Sequence, residues 1–585
     1  MDPQTKRLST GGTQRGLALV RALGLSLLPG LLLGSHVAGL LFFLNPRVAF
    51  TPFGVGRAML LYGTLLGALG TALQAPWLWR RPERSARWLP WSLTLALFLG
   101  AILDAAHASF YAYFLPPGIN VQLLKTAIWL ALGGLIAFYT ALLHTLDKRR
   151  YGWRSRCALG LLAFLSIFAA VERREAFRPP PEANARPPAI ERSERHHLWV
   201  IGIDSATLDA ILPLAGQGRL PAFSALLREG AYGRLETLGP NRRPALWATL
   251  ATGKYPWKNG ITGEIDHSGG VATPGAELNL LPRGIAFRLW GLLGPDPTPG
   301  EPRRRALGLW EIFSRLGLTS ASLSWPSTWP PASGGGGVIS ERFFSSPAGS
   351  AEAEPPALGG LGMSLQVRPA DLDPEVLKIL GRRPTKSAIT ALAGDLWREE
   401  VAVALSRKNS AIASPSVTFV VLPGLATISA ENFGGFYAAQ FGGPASSRAQ
   451  EAARRLAEYY EHLDRFLGRL LAEREGTLVA VVSAQGSAPI GWWERLRGGG
   501  SLGGTFEGAP DGVFILAGPG IRAGALIADP RLVDVAPTLL YALGLPVARD
   551  FDGRVLTGAF EASFLARRPL SFFPSYEALS PQGGR

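Results

Sequence analysis

The sequence has 585 residues, 47% of them hydrophobic, and a net charge of +15. This hydrophobic content is high for a purely soluble protein and indicates a membrane part, and the excess basic residues cluster beside apolar segments, which favours a topology signal over nucleic-acid binding. A single cysteine, Cys157, excludes an intramolecular disulfide, so a domain outside the cytoplasm would have to be stabilised by its core alone.

Apolar segments fill most of the first 171 residues. They lie at positions 17–44, 58–79, 89–106, 121–146 and 157–171. A helix needs about 20 apolar residues to cross about 30 Å of hydrocarbon, and most of these segments reach that length. The sequence therefore predicts a cytoplasmic N-terminus at 1–16 and a transmembrane domain of about five helices at 17–171. The fifth segment is the shortest, and Tyr151 and Trp153 would have to extend it at the interface.

The charges between the segments predict an orientation. Basic residues are concentrated before the first segment, between the second and third, and between the fourth and fifth, whereas Arg47 is the single basic residue in the loops near 45–56 and 107–120. By the positive-inside rule the N-terminus is cytoplasmic, and five crossings place everything after Val171 outside the cytoplasm. A cleaved signal peptide does not fit, because the first apolar segment is too long and further segments follow it.

Ionisable residues within the apolar segments are candidates for function. Asp104 and His107 are three residues apart near the outer end of the third segment, and Lys125 lies near the outer end of the fourth. A salt bridge at the interface with snorkelling side chains is the favoured interpretation, and a transport or relay role is the alternative. His36 alone gives a weaker signal.

The segment 172–197 is rich in proline, alanine and charge and predicts an extended linker. From 198 to 558 short apolar runs alternate with helical periodicity, which predicts an α/β domain with a largely parallel sheet and helices on both faces. Its first strand, "LWVIGIDS", ends at Asp204, and a helix starting near Pro244 ends at the Thr252-Gly253 turn. The stretch 349–410 is expected to be a cap or insertion, and 559–585 a C-terminal tail.

Six stretches of this domain form a recognisable series. In chain order they are "VIGIDSATLD", "LPAFSALLREGAYGRLET", "PALWATLATGKYP", "WPSTWPP", "DGVFILAGPGIRAG" and "DVAPTLLYALGLPVARDFDGRVL". Together they resemble the alkaline phosphatase superfamily, in particular its type I phosphodiesterase and nucleotide pyrophosphatase branch, across nearly all of 198–558. The resemblance predicts the fold, although a fold does not establish a function.

The resemblance also implies a two-metal enzyme, usually with zinc. In such a site two ions stabilise the attacking and leaving oxygens of a phosphoryl transfer, and a Thr or Ser at a helix N-terminus is the nucleophile. The implied ligands are an Asp after the first strand, an Asp-x-x-x-His after a middle strand, an Asp-His pair after another strand and a late His. Asp204 matches the first of these ligands.

The other positions depart from the family pattern. Counted back from Thr252-Gly253, the nucleophile position is Arg243, and a guanidinium is always protonated and cannot attack phosphorus. The remaining ligand positions hold side chains that cannot replace Asp and His as metal ligands. They are Ala426, Ala430, Ala484, Gln485 and Phe506. No Asp or His occurs between positions 408 and 450, so a small shift of register would not restore the middle pair.

The seven histidines of the chain allow a check that does not depend on the alignment. Three lie in the predicted membrane part, two in the linker, and His462 lies in a long amphipathic helix, where an exposed or packed side chain is expected. His267, in the loop "GEIDHSGG", is the remaining candidate near a cleft. With Asp204, Glu264 or Asp266 it could hold a single hard cation through oxygens, but it cannot rebuild a two-zinc site.

We therefore interpret the chain as a membrane-tethered pseudoenzyme that retains no metal cofactor. Loss of two cations would leave Asp204 as an unpaired buried carboxylate, which is costly. We expect Arg243, or alternatively Arg242, to reach Asp204 and replace the metal charge through hydrogen bonds. The pair could simply fill an inactive cavity. Alternatively, these arginines at a helix N-terminus could bind a phosphorylated or sulfated envelope component.

Two other functions stay open. Membrane helices followed by an outside domain of this fold also resemble the architecture of bacterial lipid phosphoethanolamine transferases and lipoteichoic acid synthases. This implies a bacterial inner membrane location with a periplasmic domain, and an active phosphodiesterase or phosphotransferase for phosphodiesters or lipid headgroups as the alternative. A transporter-like protein would depend only on Asp104, His107 and Lys125. An envelope glycan, lipid or protein is the expected partner, and the sequence indicates neither its identity nor an oligomeric state.

Overall fold

The computed structural model describes residues 3–45, 52–80, 85–147, 151–168, 197–263, 279–281, 304–331, 336–345, 352–406, 415–442, 445–472, 476–491, 502–506, 508 and 510–578. The chain divides into two compact units. One, here called the helical unit, comprises Met1–Arg178 and Gly263–Glu301, and the other, the α/β unit, comprises Pro179–Thr262 and Pro302–Arg585.

The helical unit contains the apolar segments as long helices. They are α1 (Pro3–Leu44), α2 (Pro52–Arg80), α3 (Ser85–Phe110), α4 (Pro117–Leu146) and α5 (Trp153–Phe168). Within the described residues, α1 to α4 are long and apolar enough to cross a membrane. Helix α5 is described over 16 residues, fewer than the about 20 that a span requires. Four of the five predicted spans therefore have the necessary length, and the fifth does not reach it among the residues described.

Helices α1 and α2 approach each other through glycines. Gly30 and Gly34 form a G-x-x-x-G pattern on α1, and Gly63 and Gly67 form another on α2. A Cβ added to Gly30 would lie 2.4 Å from the Gly67 Cα, and one added to Gly34 would lie 2.4 Å from the Gly63 Cα. Such contact requires the absence of side chains on both helices, and this is the small-residue packing by which helices associate in lipid.

A buried polar pair lies inside the helical unit. His36 Nε2 of α1 is 3.0 Å from Asp104 Oδ1 of α3, and both side chains are buried. His107 does not pair with Asp104 but accepts a hydrogen bond on Nε2 from the Leu281 backbone N–H at 2.9 Å, and Lys125 is exposed. The prediction of a salt bridge at the interface is therefore wrong, because the partner of Asp104 is His36. The pair lies within the bundle, and its second member is the histidine that gave the weakest signal.

Residues 279–281 belong to the helical unit and pack against the ends of its helices. The Asn279 backbone N–H donates to Asn45 Oδ1 at 2.8 Å, and Asn45 Nδ2 donates to the Asn279 carbonyl at 3.2 Å. Tyr111 donates its hydroxyl proton to the Leu280 carbonyl at 3.5 Å. These contacts and the one with His107 satisfy buried backbone groups that the apolar surroundings leave without water.

The α/β unit is organised around a nine-stranded sheet. Its strands in chain order are β1 (Leu198–Ile203), β2 (Ala231–Leu235), β3 (Ser320–Leu323), β4 (Gly337–Ile339), β5 (Ala353–Glu354), β6 (Val417–Leu422), β7 (Leu478–Ser483), β10 (Gly512–Ala517) and β11 (Ala525–Leu526). Two short pairs lie outside it. They are β8 (Ala488–Pro489) with β9 (Gly504–Thr505), and β12 (Val547–Ala548) with β13 (Phe572–Phe573).

The spatial order of the sheet is β11-β2-β10-β7-β1-β6-β3-β4-β5. The five strands from β7 to β4 run parallel, and β10 is antiparallel to both of its neighbours. The predicted largely parallel sheet is therefore confirmed. Strand β1 lies between β6 and β7, with Ile203 opposite Leu422 and Gly202 opposite Val482, so the carboxyl ends of these three strands meet at one edge.

The helices of this unit alternate with the strands. They are α6 (Leu208–Gly216), α7 (Pro221–Glu229), α8 (Arg243–Thr252), α9 (Pro256–Asn259), α10 (Leu309–Arg315), α11 (Pro356–Ser364), α12 (Pro374–Leu377), α13 (Lys386–Ser406), α14 (Gly424–Phe441), α15 (Ser447–Ala472), α16 (Leu532–Ala542) and α17 (Ala562–Arg567). Short 3-10 turns lie at Pro369–Asp371, Lys378–Leu380, Thr557–Ala559 and Tyr576–Ala578.

Helix α8 packs closely on β1. A Cβ added to Gly202 would lie 2.7 Å from the Trp247 ring, so the strand needs glycine there to admit the indole. Trp247 in turn makes an edge-to-face contact with Trp325 at 5.2 Å between ring centroids, and both rings are buried. This packing fixes the start of α8 beside the carboxyl end of β1.

Ordered elements also occur where the sequence predicted a cap and a tail. The 349–410 region contains β5 and helices α11 to α13. Within 559–585, α17 and β13 are followed by Tyr576, which is buried, and β13 pairs with β12. Lys254 Nζ donates to Glu577 Oε1 at 2.6 Å, so these C-terminal residues are part of the α/β unit.

Candidate functional site

Asp204 lies at the carboxyl end of the central strand β1. Its backbone N–H donates to the Leu422 carbonyl at 3.1 Å, which continues the ladder between β1 and β6 by one residue. Ser205 then turns the chain with φ of 69°, a left-handed conformation that ends the strand abruptly. Ligands of open α/β sheets bind outside the carboxyl ends of the strands, so Asp204 lies where a functional group is expected.

Arg243, the first residue of α8, donates its Nε–H to Asp204 Oδ2. The Asp204 side chain is only 1% exposed, whereas the Arg243 side chain is 40% exposed. Asp204 Oδ1 is buried without a hydrogen-bond partner. The predicted contact between these side chains is therefore present, and Arg243 makes it while Arg242 does not.

Arg242 is the residue before α8, and its side chain is buried. Its guanidinium donates to the Thr262 carbonyl at 2.7 Å. Asn241 donates from Nδ2 to the Phe506 carbonyl at 2.7 Å, which brings the half-buried Phe506 near the start of α8. The position that the family pattern assigns to a late histidine thus lies near the site and carries a phenyl ring.

Ala484 and Gln485 follow β7, the neighbour of β1. Both are buried, and the Gln485 side-chain oxygen has no hydrogen-bond partner. Ser483 links this turn to the turn after β1, because its hydroxyl accepts from the Ala206 N–H at 3.1 Å and donates to the Gln485 carbonyl at 2.6 Å. The backbone at this position is therefore held in place although its side chains carry no carboxylate or imidazole.

Ala426 and Ala430 follow β6, the other neighbour of β1. The family pattern places these positions after a middle strand, and in the structure the residues from Gly424 onward form helix α14. The two alanines are four residues apart on it and share one face. An Asp and a His at these positions would project to the same side, and here that side carries two methyl groups.

The donors around Asp204 do not fit two zinc ions. Zinc is bound by thiolate, imidazole and carboxylate groups, and the described positions that match the family pattern offer one carboxylate already bound to a guanidinium. In the described part of the chain no group of three His, Cys, Asp or Glu side chains could hold a metal ion. His267, Glu264 and Asp266, the candidates for a single cation, lie outside the described residues.

His462 is packed and not exposed. It is buried on α15, and its Nε2 is 2.8 Å from Glu399 Oε1. Arg469 donates to the other oxygen of Glu399 at 2.9 Å. The histidine therefore serves packing between α13 and α15, which agrees with the interpretation of it as a structural residue.

A buried polar cluster on α13 was not predicted. Asp395 accepts hydrogen bonds from the Gly424 N–H at 3.1 Å and from the Tyr459 hydroxyl at 2.8 Å. Burial raises the pKa of Asp395 to about 6 and lowers the pKa of Arg398 to about 10, and the positive charge of Arg243 also lowers the latter. The charges of the cap helix and of the Asp204 site therefore influence each other. The sequence signal was the polar run Arg398-Glu399-Glu400 in an otherwise apolar helix.

Part of the chain matches a known protein family. The family model described as type I phosphodiesterase/nucleotide pyrophosphatase matches residues 198–496. No curated protein matches the chain.

Two solved structures are similar to the chain at low sequence identity. A phosphonate monoester hydrolase from Silicibacter pomeroyi is 15% identical with a TM-score of 0.38, and the match covers 63% of this chain and 78% of that one. Murine ectonucleotide pyrophosphatase/phosphodiesterase 5 is 11% identical with a TM-score of 0.33, covering 60% of this chain and 96% of that one.

Proposed function

We propose that this chain, which belongs to the type I phosphodiesterase/nucleotide pyrophosphatase family, is a membrane-tethered pseudoenzyme whose alkaline phosphatase-like domain binds an anionic component or partner of the cell envelope. One observation carries the proposal: Arg243 stands at the start of α8 and donates to Asp204. The guanidinium thereby supplies the positive charge that metal ions supply in a two-metal site.

This arrangement does not support phosphoryl transfer by the family's chemistry. A nucleophile must donate an electron pair to phosphorus, and the guanidinium of Arg243 is protonated and has no acceptor site. Activation of water at neutral pH by a metal would require a cation beside Asp204, where the Arg243 charge opposes it. The methyl groups of Ala426 and Ala430 and the amide of Gln485 offer no general base.

The same arrangement supports binding. Arg243 uses its Nε–H for Asp204, and no further hydrogen bond from its guanidinium is found among the described residues. Its side chain is 40% exposed, and α8 is ten residues long, so the remaining N–H groups and the helix N-terminus together favour an oxyanion. Because Asp204 neutralises part of the charge, we expect moderate affinity for a phosphate or sulfate ester.

The proposed location is the bacterial inner membrane, with a cytoplasmic N-terminus and a periplasmic α/β domain. It is supported by the distribution of basic residues and by four helices of spanning length. It also requires a fifth crossing, which α5 would have to make together with the residues that follow it. With four crossings the α/β domain would lie on the same side as the N-terminus.

Hydrolysis of an aryl phosphodiester by the purified full chain in detergent tests the proposal. We expect no zinc- or manganese-dependent rate above that of Asp204→Ala. The variant Asp209→Ala, which changes a half-exposed carboxylate in α6, is the matched control, because a contaminating hydrolase would give the same rate in all three preparations. Metal-dependent turnover that disappears only in Asp204→Ala would overturn the proposal in favour of an active phosphodiesterase.

A further inference from the structure

A second basic cavity lies in the α/β unit between α13 and the start of α14. Its volume is about 430 Å³. The lining residues that matter here are Phe344, Lys386, Gly394, Arg398, Gly424 and Thr427. Neither Asp204 nor Arg243 lines it, although the positive charge of Arg243 acts on Arg398.

Arg398 is the main feature of this cavity. Its side chain is 7% exposed, and its Nε is buried without a hydrogen-bond partner. The negative charge of Asp395, three residues earlier, offsets part of the Arg398 charge, but no hydrogen bond to Arg398 Nε is found among the described residues. Unused donors on a buried guanidinium are costly, so a ligand that supplies acceptor oxygens would satisfy donors that the protein leaves unused.

Aromatic rings hold the Arg398 guanidinium without using its N–H groups. Its central carbon lies 5.7 Å from the Phe344 ring centroid and 5.5 Å from that of Trp397. Cation–π attraction of this kind stabilises the charge through the ring faces. The terminal N–H groups of the side chain therefore remain available for a bidentate contact with an oxyanion.

Two glycines make room for this arrangement. A Cβ on Gly394 would lie 2.7 Å from Arg398 Nη1, and a Cβ on Gly424 would lie 2.0 Å from the Tyr459 hydroxyl and 2.4 Å from Asp395 Oδ2. Asp395 is turned toward Gly424 and Tyr459, to which it is hydrogen-bonded. Asp395 does not line the cavity, whereas Arg398 does.

We propose that this cavity binds the phosphate group of a phosphorylated organic molecule, with Arg398 as the bidentate donor and Lys386 as a second cation at the rim. Lys386 is exposed and is the first residue of α13. The volume falls in the lower part of the range of about 300–1,000 Å³ found for ligand pockets, so part of the organic group fits beside the phosphate. This site goes beyond the proposed function, because it does not depend on whether Asp204 and Arg243 form an inactive centre.

Calorimetric titration of the full chain in detergent with inorganic phosphate and with glycerol phosphate tests the inference. The variant Gly394→Ala should weaken both ligands about tenfold or more, since hydrogen bonds to a charged group are worth at least that factor. The atom displaced is the far end of a flexible side chain, so the fold should tolerate the change. Gly360→Ala is the matched control, because a Cβ there meets no atom within 4 Å, and it should leave affinity unchanged.

Two further variants separate this cavity from the Asp204 site. Lys386→Gln should weaken the Gly394-sensitive binding of phosphate by about threefold, as expected for an exposed cation. Arg243→Met should remove only binding at the Asp204 site and should change the Gly394-sensitive affinity by less than threefold. Tighter binding of glycerol phosphate than of phosphate would show that the organic group is also held, and equal binding would show recognition of phosphate alone. Absence of binding at millimolar ligand, or an unchanged affinity in Gly394→Ala, would overturn the inference. Loss of binding in Arg243→Met alone would overturn it as well, and would leave the proposed function standing.

Discussion

The Arg243→Met variant tests whether the arginine stabilises a buried carboxylate. Methionine keeps much of the length of the side chain and removes its charge and its donors. Asp204 would then lose its one side-chain partner among the described residues, since its Oδ1 already has none. A carboxylate that is only 1% exposed cannot recover this loss from water without local rearrangement.

The expected size of the effect follows from the burial of the two groups. Removing one partner of a fully buried ion pair costs about 3–5 kcal/mol. Because Arg243 is 40% exposed, solvent screens part of the interaction, and we expect about 2–3 kcal/mol in the free energy of unfolding. The reverse change, Asp204→Asn, leaves an arginine that can turn to water and should cost about 1 kcal/mol. The double variant should resemble Asp204→Asn alone, which gives a coupling free energy of about 2–3 kcal/mol.

Pulse proteolysis in urea measures these differences on the full chain in detergent. Arg234→Met is the matched control, because Arg234 donates to Asp209 in a pair in which both side chains are substantially exposed, and its loss should cost less than about 1 kcal/mol. If Arg243→Met is no more destabilising than Arg234→Met, or if the two changes at Asp204 and Arg243 are additive, the arginine does not stabilise the carboxylate and the reasoning is refuted.

Three further predictions concern other parts of the chain. The pKa of Asp395 is raised from 3.8 to about 6, so the folded state binds more protons than the unfolded state between those pH values. The free energy of unfolding should therefore fall by up to about 3 kcal/mol as pH rises through this window and then level off. Urea unfolding midpoints measure this pH dependence, which should be absent in Asp395→Asn. Gly34→Leu should separate α1 from α2, since a Cβ at Gly34 already meets the Gly63 backbone, and should lower the detergent melting temperature, whereas Gly56→Leu, in open space, should not. Cys157, which is exposed and is the single cysteine, should resist a membrane-impermeant maleimide in intact spheroplasts and react after lysis; labelling before lysis would contradict the proposed orientation.

Much of the α/β unit could be predicted from the sequence because its central strands are continuous apolar runs between turns. Strand β1 and the long helix α15, which contains His462, lie where the hydrophobic pattern predicted them. Helix α14 was missed because Gly424 and the Thr and Ser residues after it are weak helix formers, and packing on the sheet overrides that preference.

Contacts between distant polar residues were harder to predict. The pair of Arg243 and Asp204 could be predicted because the family resemblance places both positions in one site. A buried carboxylate at Asp204 also requires a positive partner there. His36 and Asp104 are 68 residues apart, and Arg398 faces a cavity formed by three segments. The hydrophobic periodicity of a sequence does not indicate such contacts, because they depend on how helices and strands pack against each other.

The metal content of the purified full chain tests the central claim most directly. After expression with added zinc and dialysis in detergent, elemental mass spectrometry gives the number of ions per chain. Since the Arg243 charge takes the place of the cations beside Asp204, we expect well below one zinc per chain and the same value in Asp204→Ala. About two zinc ions per chain, as in two-metal catalysis, falling in Asp204→Ala, would contradict the account.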